Sequence, residues 1–156
     1  MSALLSLGSN VGDRLAHLRA GVELLCQVLP VTAVSPVYET APVGVSDQRA
    51  YLNCVAVVAS DDPEAVLRAA QRAEDLRGRI RTSRWGPRTL DVDVVAVDAV
   101  VRDDPRLTLP HPRAAERAFV LVPWLEVDPV AELANHGPVR ALVERLDVSG
   151  VRRWRG

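Results

Sequence analysis

The sequence has 156 residues, of which 48% are hydrophobic and 25% charged, and its formal net charge is -1. This length predicts one domain, residues 1–156, whose core needs no disulfide or structural metal. The near-zero charge argues against a general binder of nucleic acid or anionic membranes, and no stretch has the length of a membrane span or the charges of a secretory signal. Cys26 and Cys54 lie among apolar residues without CxxC spacing, which predicts buried, reduced thiols and a cytoplasmic protein.

The first half of the chain predicts one strand and one helix, followed by two strands. The segment "ALLSLGSN" is typical of a short buried strand that ends at Gly8. Apolar residues then recur at helical spacing and predict a helix over about 12–28, with a buried face of Leu15, Leu18, Val22 and Leu25. "VTAVSPVYET" and "YLNCVAVVAS" predict strands, and the Pro- and Gly-bearing "APVGVSDQRA" between them predicts a long loop.

The second half adds a helix, a strand and a last short helix. Asp62 as N-cap and Pro63 at the first helical position predict the second helix, which Gly78 ends. The arginine-rich loop "RIRTSRWGPR" follows, and the valine-rich "TLDVDVVAVDAVV" predicts a strand with a hairpin turn at residues 98–99. The rest is predicted to be rich in turns until Pro138 opens a short helix.

The order of the predicted elements is β, α, β, β, α, β, with joins that are compatible with hairpins. This order is typical of an α+β fold of the ferredoxin-like, split βαβ type, with a mainly antiparallel sheet and helices packed on one face. We therefore expect the other face of the sheet to be open for ligands.

Two carboxylates stand at the start of the last predicted strand, in "RWGPRTLDVDVVAV". Because side chains alternate along a strand, Asp91 and Asp93 are predicted to point to the same side, about 6.5 Å apart at Cα. That spacing suits one or two hard cations, but acids on the wet face of a strand would look the same, and spacing alone does not decide between the two. The run "VVAV" after Asp93 is apolar on both faces, which favours the edge of a cavity over an open surface.

Four arginines precede the two aspartates within ten residues, and the chain has no lysine. Arg79, Arg81, Arg84 and Arg88 lie on a Gly- and Pro-bearing loop that also carries Trp85. They either form a structural ion-pair network with the acids or line a site for a magnesium-bound polyphosphate, and the excess of arginines over acids favours the polyphosphate. A nucleic-acid patch of arginines with a stacking Trp is a third alternative, which the lack of basic excess elsewhere weakens.

The segment "RWGPRTLDVDVV" resembles the signature of the 6-hydroxymethyl-7,8-dihydropterin pyrophosphokinase family. Further segments that resemble the family occur in order along almost the whole chain: "LGSNVGDR", "VYETAPVG", "DQRAYLN", "LTLPHPR" and "ERAFVLVPW". The resemblance implies an enzyme of folate biosynthesis that transfers the pyrophosphoryl group of ATP to the hydroxymethyl group of the pterin and releases AMP. We expect a monomer that binds these small molecules and no nucleic acid or membrane. The rival hypothesis is a ferredoxin-like module that binds nucleotide or RNA on its open sheet face, with structural aspartates.

The resemblance also assigns the metal ions and the catalytic charges. It implies that Asp91 and Asp93 hold two Mg²⁺ ions that bridge the ATP phosphates. It implies that Arg79 and Arg88 are catalytic and stabilise the charge of an in-line transition state at the β-phosphorus. No strong general base is expected, because such an enzyme mainly orients and neutralises its reactants.

Two sets of substrate-binding residues are implied by the same resemblance. Those for ATP are Gln71, Glu74, Arg81, Arg84, Val94, Arg106, Thr108 and His111. Those for the pterin are Thr40, Ala41, Pro42, Val43, Gly44, Tyr51, Asn53, Trp85, Arg117 and Phe119. Without the resemblance, Gln71 and Glu74 would fit a solvated helix face and the two aromatic rings of the pterin set at 51 and 119 would fit an ordinary core.

Overall fold

The computed structural model describes residues 1–41, 49–78 and 89–156. In chain order its elements are β1 (Ala3–Ser9), α1 (Arg14–Cys26), β2 (Val31–Val34), β3 (Tyr38–Thr40), β4 (Tyr51–Val58), α2 (Pro63–Leu76), β5 (Asp91–Val97), a 3-10 turn (Ala114–Glu116), α3 (Ala118–Val127), β6 (Glu132–Leu133), β7 (Gly137–Pro138), α4 (Val139–Glu144) and β8 (Val151–Arg153). None of the described helices is long and apolar enough to cross a membrane.

The main sheet is antiparallel and has the strand order β5-β1-β4-β3-β8, with β2 also paired to β4. β2 and β3 share one edge of β4, and they replace the single strand predicted from "VTAVSPVYET". The break between them contains Pro36, which has no N–H for a ladder hydrogen bond. The order β5-β1-β4-β3, with α1 after β1 and α2 after β4, is the ferredoxin-like arrangement. The predicted α+β fold class is therefore confirmed.

The second helix begins as predicted, whereas the first begins at Arg14, two residues after its predicted start. The Asp62 side chain accepts hydrogen bonds from the backbone N–H groups of the first turn of α2, and Pro63 is the first helical residue. Gly78 follows the helix with a φ of +83°, a left-handed conformation that glycine adopts without strain. At the start of α1 the Asp13 carboxylate accepts from the Ala16 N–H. Local capping thus fixes both helix starts.

Helices cover both faces of the sheet, so the prediction that they pack on one face is wrong. Leu5 and Leu7 of β1 lie in a core cluster with residues of α1 and α2. Leu4, which points to the opposite face, lies in a second cluster with Trp124 of α3 and Val139 of α4. β1 is buried at every position and β4 at nearly every position, so both faces of the sheet are apolar and need cover.

Three smaller predictions also differ from the structure. The segment around Pro123 is predicted to be rich in turns but forms α3, because its apolar side chains are buried in the second core cluster and outweigh the missing proline N–H. The predicted turn forms at Asp98, which has a φ of +45°, but within residues 100–109 the expected second arm of the hairpin forms no strand. Cys54 is buried as predicted, whereas Cys26 is exposed at the end of α1.

Candidate active site

One row of residues crosses three strands of the sheet and brings the predicted metal and pterin residues together. The register pairs Asp91 of β5 with Gly8 of β1, and Gly8 with Asn53 of β4. Directly opposed residues of an antiparallel pair project to the same face. The next row pairs Asp93 with Ser6 on that same face. The sheet therefore presents both aspartates and Asn53 to one side, the side that α3 partly covers.

Asp93 lies beside two residues of the predicted substrate sets. Its side chain is 48% exposed, and its Oδ2 is 3.7 Å from Nη1 of Arg117. The Arg117 guanidinium in turn lies over the Phe119 ring, 5.6 Å from the ring centroid, as in a cation–π contact. Val94 is placed differently, because its side chain is buried in the core cluster under α1 and α2, on the face opposite Asp93. Any contact of Val94 with ATP would therefore involve its backbone.

The two aspartates fit a cation that is shared with a phosphate ligand. They are half-buried, alternate along β5 and offer hard oxygen ligands from one face. Within residues 1–41, 49–78 and 89–156, no group of three or more His, Cys, Asp and Glu side chains could hold a metal by itself. Mg²⁺ is commonly bound by one or two carboxylates together with substrate phosphates, so this donor set suits Mg²⁺ with a nucleotide better than a closed protein cage.

The predicted pterin residues of β3 and β4 are joined by a hydrogen bond. The Thr40 hydroxyl donates to Oδ1 of Asn53 at 2.8 Å, and the Asn53 residue is only 4% exposed. This bond fixes the orientation of the buried Asn53 amide. An amide held in one orientation can form directed hydrogen bonds with the polar edge of a ligand. Tyr51 is half-buried and directly opposite Thr40. Ala41 donates its N–H to the Gly150 carbonyl, which joins the end of β3 to the loop before β8.

Glu74 and Gln71 occupy different environments, although both are predicted to bind ATP. Gln71 is exposed on α2, whereas Glu74 is 8% exposed and its Oε2 accepts a hydrogen bond from the Val92 N–H at 3.0 Å. Val92 stands between Asp91 and Asp93 on the outermost strand of the described sheet. Glu74 therefore supports the backbone that carries both aspartates, a role that the sequence did not predict.

His111 lies next to the aspartate pair, and its backbone position is set by β5. Its N–H donates to the Val95 carbonyl at 2.8 Å, where β5 has a bulge opposite β1. Burial, and then the Arg117 guanidinium, lower the pKa of His111 below its ordinary value, while Asp93 opposes this shift. A neutral imidazole near pH 7 is the consequence, and such a ring can donate one hydrogen bond and accept another.

Arg106 and Thr108 lie at the other end of α2. The Arg106 guanidinium forms an ion pair with Glu64 in the first turn of α2, and the Thr108 hydroxyl donates to the Asp104 carbonyl. Glu64 and Glu74 are ten residues apart, which is about 15 Å along a helix. Arg106 therefore lies beside the first turn of α2, whereas Glu74 contacts β5 from the other end of the helix.

Eight of the predicted site residues lie outside the described residues and stay predictions. They are Pro42, Val43, Gly44, Arg79, Arg81, Arg84, Trp85 and Arg88. The two described ends of the arginine-rich segment adjoin each other, because the Thr89 hydroxyl donates to the carbonyls of Arg77 and Gly78 at 3.1 and 3.2 Å. Gly78 therefore lies next to Thr89, which is two residues before Asp91 in the chain.

Arg14 and Gly8 were missed by the sequence analysis. Nη1 of Arg14 donates to Glu39 Oε2 at 2.9 Å and to the Ala50 carbonyl at 2.8 Å, and the side chain is only 11% exposed. It thus joins the end of β3 to the start of β4. The position of Arg14 in the sequence was a signal for this role. The helix dipole disfavours a cation at the first position of a helix, so an arginine there indicates a contact outside the helix. The signal for Gly8 was a glycine near the end of a mostly apolar strand.

Comparisons with known proteins show the family to which the chain is similar. The sequence profile of the family described as 7,8-dihydro-6-hydroxymethylpterin-pyrophosphokinase (HPPK) matches residues 4–129. Over 156 residues the chain is 49% identical to the 2-amino-4-hydroxy-6-hydroxymethyldihydropteridine pyrophosphokinase of Mycobacterium leprae, covering 92% of this chain and 80% of that relative. Over 156 residues it is 41% identical to the protein of the same name from Bacillus subtilis, covering 98% of this chain and 90% of that relative.

The fold is also similar to that of a longer protein of known structure. The crystal structure of wild-type Plasmodium falciparum HPPK-DHPS with STZ-DHP matches with a TM-score of 0.71 at 14% sequence identity. The match covers 92% of this chain and 43% of that chain. This chain spans less than half of that longer protein, and the likeness at this identity concerns the fold alone.

Proposed function

The chain belongs to the 7,8-dihydro-6-hydroxymethylpterin-pyrophosphokinase family, and we propose that it performs the family's reaction on the face of the sheet around Asn53, Gly8 and Asp91. It transfers the pyrophosphoryl group of ATP to the hydroxymethyl group of 6-hydroxymethyl-7,8-dihydropterin, a step of tetrahydrofolate biosynthesis. The products are AMP and the pterin diphosphate. The observation that carries the assignment of the site is the register, which aligns an amide on β4 with a carboxylate on β5.

A kinase that uses ATP depends on a divalent cation. We propose that two Mg²⁺ ions serve here and that Asp91 and Asp93 hold them, since their carboxylates share one face of β5. Bound there with ATP, the ions would offset the charge of the phosphates and make the β-phosphorus more electrophilic. Arg117, 3.7 Å from Asp93 Oδ2, keeps a positive charge beside this carboxylate and would attract the phosphates.

The pterin would be held by its edge and by its faces. The Asn53 amide, oriented by the Thr40 hydroxyl, would form hydrogen bonds with the polar edge of the ring. Tyr51 and Phe119 are both half-buried aromatic rings next to this amide or to Arg117, and they would stack on the ring. Binding of both reactants would orient the hydroxymethyl oxygen toward the β-phosphorus.

The chemical step is an in-line displacement. The hydroxymethyl oxygen forms a bond to the β-phosphorus, the bond from this phosphorus to the oxygen bridging the α- and β-phosphates breaks, and AMP leaves. The hydroxyl proton passes to solvent. We propose that Arg79 and Arg88 stabilise the phosphate charge during this step, so that the enzyme contributes orientation and neutralisation instead of a strong base.

We further propose that residues 1–156 act as one pyrophosphokinase domain, as a cytoplasmic monomer without nucleic-acid or membrane partners. The small-molecule substrates and the net charge of -1 support this proposal.

The products of a single incubation test the function. With ATP, Mg²⁺ and hydroxymethyl-dihydropterin, the enzyme should release AMP and form the pterin diphosphate, whereas ADP would indicate an ordinary kinase. Asp93→Ala and Asp93→Asn should both abolish turnover, because the charge of the carboxylate holds the cations. Asp103→Asn, an exposed aspartate outside the site, is the matched control and should keep the full rate. Near-normal turnover of Asp93→Ala would show that the metal assignment is wrong.

A further inference from the structure

Gly8 lies at the centre of the proposed site, between the amide and the carboxylate that the two substrates would use. It pairs with Asn53 on one side and with Asp91 on the other. Since neighbouring strands are about 4.8 Å apart, β4 and β5 are separated by about 9–10 Å across β1 at this row. A ligand that contacts both Asn53 and Asp91 must pass directly over Gly8.

Space, and not backbone conformation, explains why this residue is a glycine. Its φ is not in the left-handed region, so an L-residue could adopt its backbone. A Cβ at Gly8 would, however, stand 2.9 Å from Nδ2 of Asn53 and 3.5 Å from Cδ1 of Tyr51. Both are side-chain atoms of residues in the proposed pterin site. The added methyl group would therefore occupy the surface of that site.

Among the glycines in the described part of the chain, one other, Gly21, has equally close neighbours, and its role is different. A Cβ at Gly21 of α1 would be 2.9 Å from methyl groups of Leu7 and Leu90, so Gly21 allows the helix to pack closely on the core. The three atoms nearest to a Cβ at Gly8 all belong to β4, namely Asn53 Nδ2, Tyr51 Cδ1 and the Leu52 carbonyl oxygen. Close packing of the core thus accounts for Gly21 and leaves Gly8 without that explanation.

We propose that Gly8 is a specificity-determining residue for the pterin, an inference that rests on the proposed function. A pterin carries its polar pyrimidine edge at one end and the hydroxymethyl group at the other. With the polar edge at Asn53 and the hydroxymethyl group near Asp91, the fused rings cross β1 over the bare backbone of Gly8. Any side chain there obstructs this path, and it also displaces the Asn53 amide from its hydrogen bond with Thr40.

The substitution Gly8→Ala tests the inference, with Gly150→Ala as a matched control. Gly150 also adjoins the sheet, but its nearest side-chain neighbour, Ala41 Cβ, is 4.0 Å from the position of an added methyl group. Gly8→Ala should raise the KM for the pterin by at least about tenfold, the effect of one misplaced methyl group in a fitted pocket. Its affinity for a non-hydrolysable ATP analogue with Mg²⁺, measured by calorimetry without pterin, should stay as in the wild type. Gly150→Ala should change neither quantity.

Two results for this variant would overturn the inference. One is a wild-type KM for the pterin. The other is an equal loss of affinity for the ATP analogue and for the pterin, which would show a general disturbance of the sheet. Retained binding of the ATP analogue also shows that Gly8→Ala is folded.

A measurement on the wild-type enzyme makes the test independent of the variant's folding. In protein labelled with ¹⁵N-glycine and saturated with the ATP analogue and Mg²⁺, addition of the pterin should shift the Gly8 amide resonance strongly. The resonance of Gly137, which lies in the two-stranded sheet near the opposite end of β1, should stay in place. An unmoved Gly8 resonance on pterin binding would refute the inference. If the wild type bound the pterin at Gly8 but released no AMP, the proposed reaction would fail while the assignment of Gly8 would stand.

Discussion

Replacing Glu74 by alanine would test whether a buried carboxylate of α2 holds the strand that carries the two aspartates. Glu74 Oε2 accepts the Val92 N–H at 3.0 Å, and both residues are less than a tenth exposed. Hydrogen bonds to charged groups contribute about 1.5–3 kcal/mol, and a buried N–H left without an acceptor costs a similar amount. We therefore expect Glu74→Ala to lower the free energy of unfolding by about 1.5–3 kcal/mol.

This loss should be visible in thermal unfolding followed by circular dichroism. For a chain of this size, about 1 kcal/mol corresponds to roughly 2–4 °C in Tm, so a decrease of about 3–12 °C is expected. Glu74→Gln keeps an acceptor oxygen but not the charge, and it should lose only about 0.5–1.5 kcal/mol. The order of the three Tm values, wild type above glutamine above alanine, follows from this reasoning.

The Mg²⁺ dependence of turnover tests whether Glu74 positions the two aspartates, because a purely structural role of Glu74 would not change it. Val92 lies between Asp91 and Asp93, so a loosened strand should raise the Mg²⁺ concentration that gives half-maximal turnover. Gln71→Ala is the control, because Gln71 is exposed one turn earlier on the same helix and should affect stability by less than about 0.5 kcal/mol. The reasoning is refuted if Glu74→Ala matches Gln71→Ala in Tm and the wild type in Mg²⁺ dependence.

Three further changes have expected outcomes. Arg14→Ala should lower the free energy of unfolding by about 1.5–3 kcal/mol, because its two hydrogen bonds, to Glu39 of β3 and to the carbonyl before β4, are lost. It should also raise the KM for the pterin, and unchanged values of both quantities would contradict this. In an alkaline absorbance titration, Tyr38 should ionise at a higher pH than a free tyrosine, since burial and its hydrogen bond to Glu126 raise its pKa to about 12. The stability that the protonated Tyr38 contributes should be lost as pH rises above 10.0. An absorbance change near pH 10.0 that Tyr38→Phe removes would be evidence against this prediction. Burial lowers the pKa of both His17 and His111, so these imidazoles bind protons more readily in the unfolded chain than in the folded one. Tm should therefore fall as pH drops through 6.5, and it should fall less in His17→Asn and in His111→Asn. An equal fall in these variants would exclude the two imidazoles as the cause.

Local signals in the sequence were sufficient to predict the elements of the ferredoxin-like core. Asp62 and Pro63 mark the start of α2, and the alternation of Asp91 and Asp93 with valines marks one polar face of β5. α3 was not predicted because its apolar residues surround the whole helix and Pro123 lies within it. A helix of that kind is stabilised by burial against the sheet, which periodicity cannot report.

The sequence allowed the residues of the candidate site to be predicted better than the contacts that each of them makes. The resemblance assigned Asn53 to the pterin, and the structure shows a partner for this buried amide in the Thr40 hydroxyl. The sequence does not indicate that Glu74 is buried, because an acid one helical turn from Gln71 is typical of a solvated helix face. Its partner, the Val92 N–H, is available only because β5 has no further strand on that side in the described sheet. Such a partnership depends on the arrangement of elements distant in sequence.

The position of β5 at the margin of the described sheet has a consequence for the solution behaviour of the enzyme. An outermost strand normally offers free N–H and C=O groups to which another polypeptide can add a strand. Here the Val92 N–H is occupied by Glu74, and Asp91 and Asp93 place negative charge along the same short segment. These acids would repel a second molecule that approached edge to edge. Variants that neutralise them should therefore be examined for self-association before a loss of turnover is attributed to the metal ions.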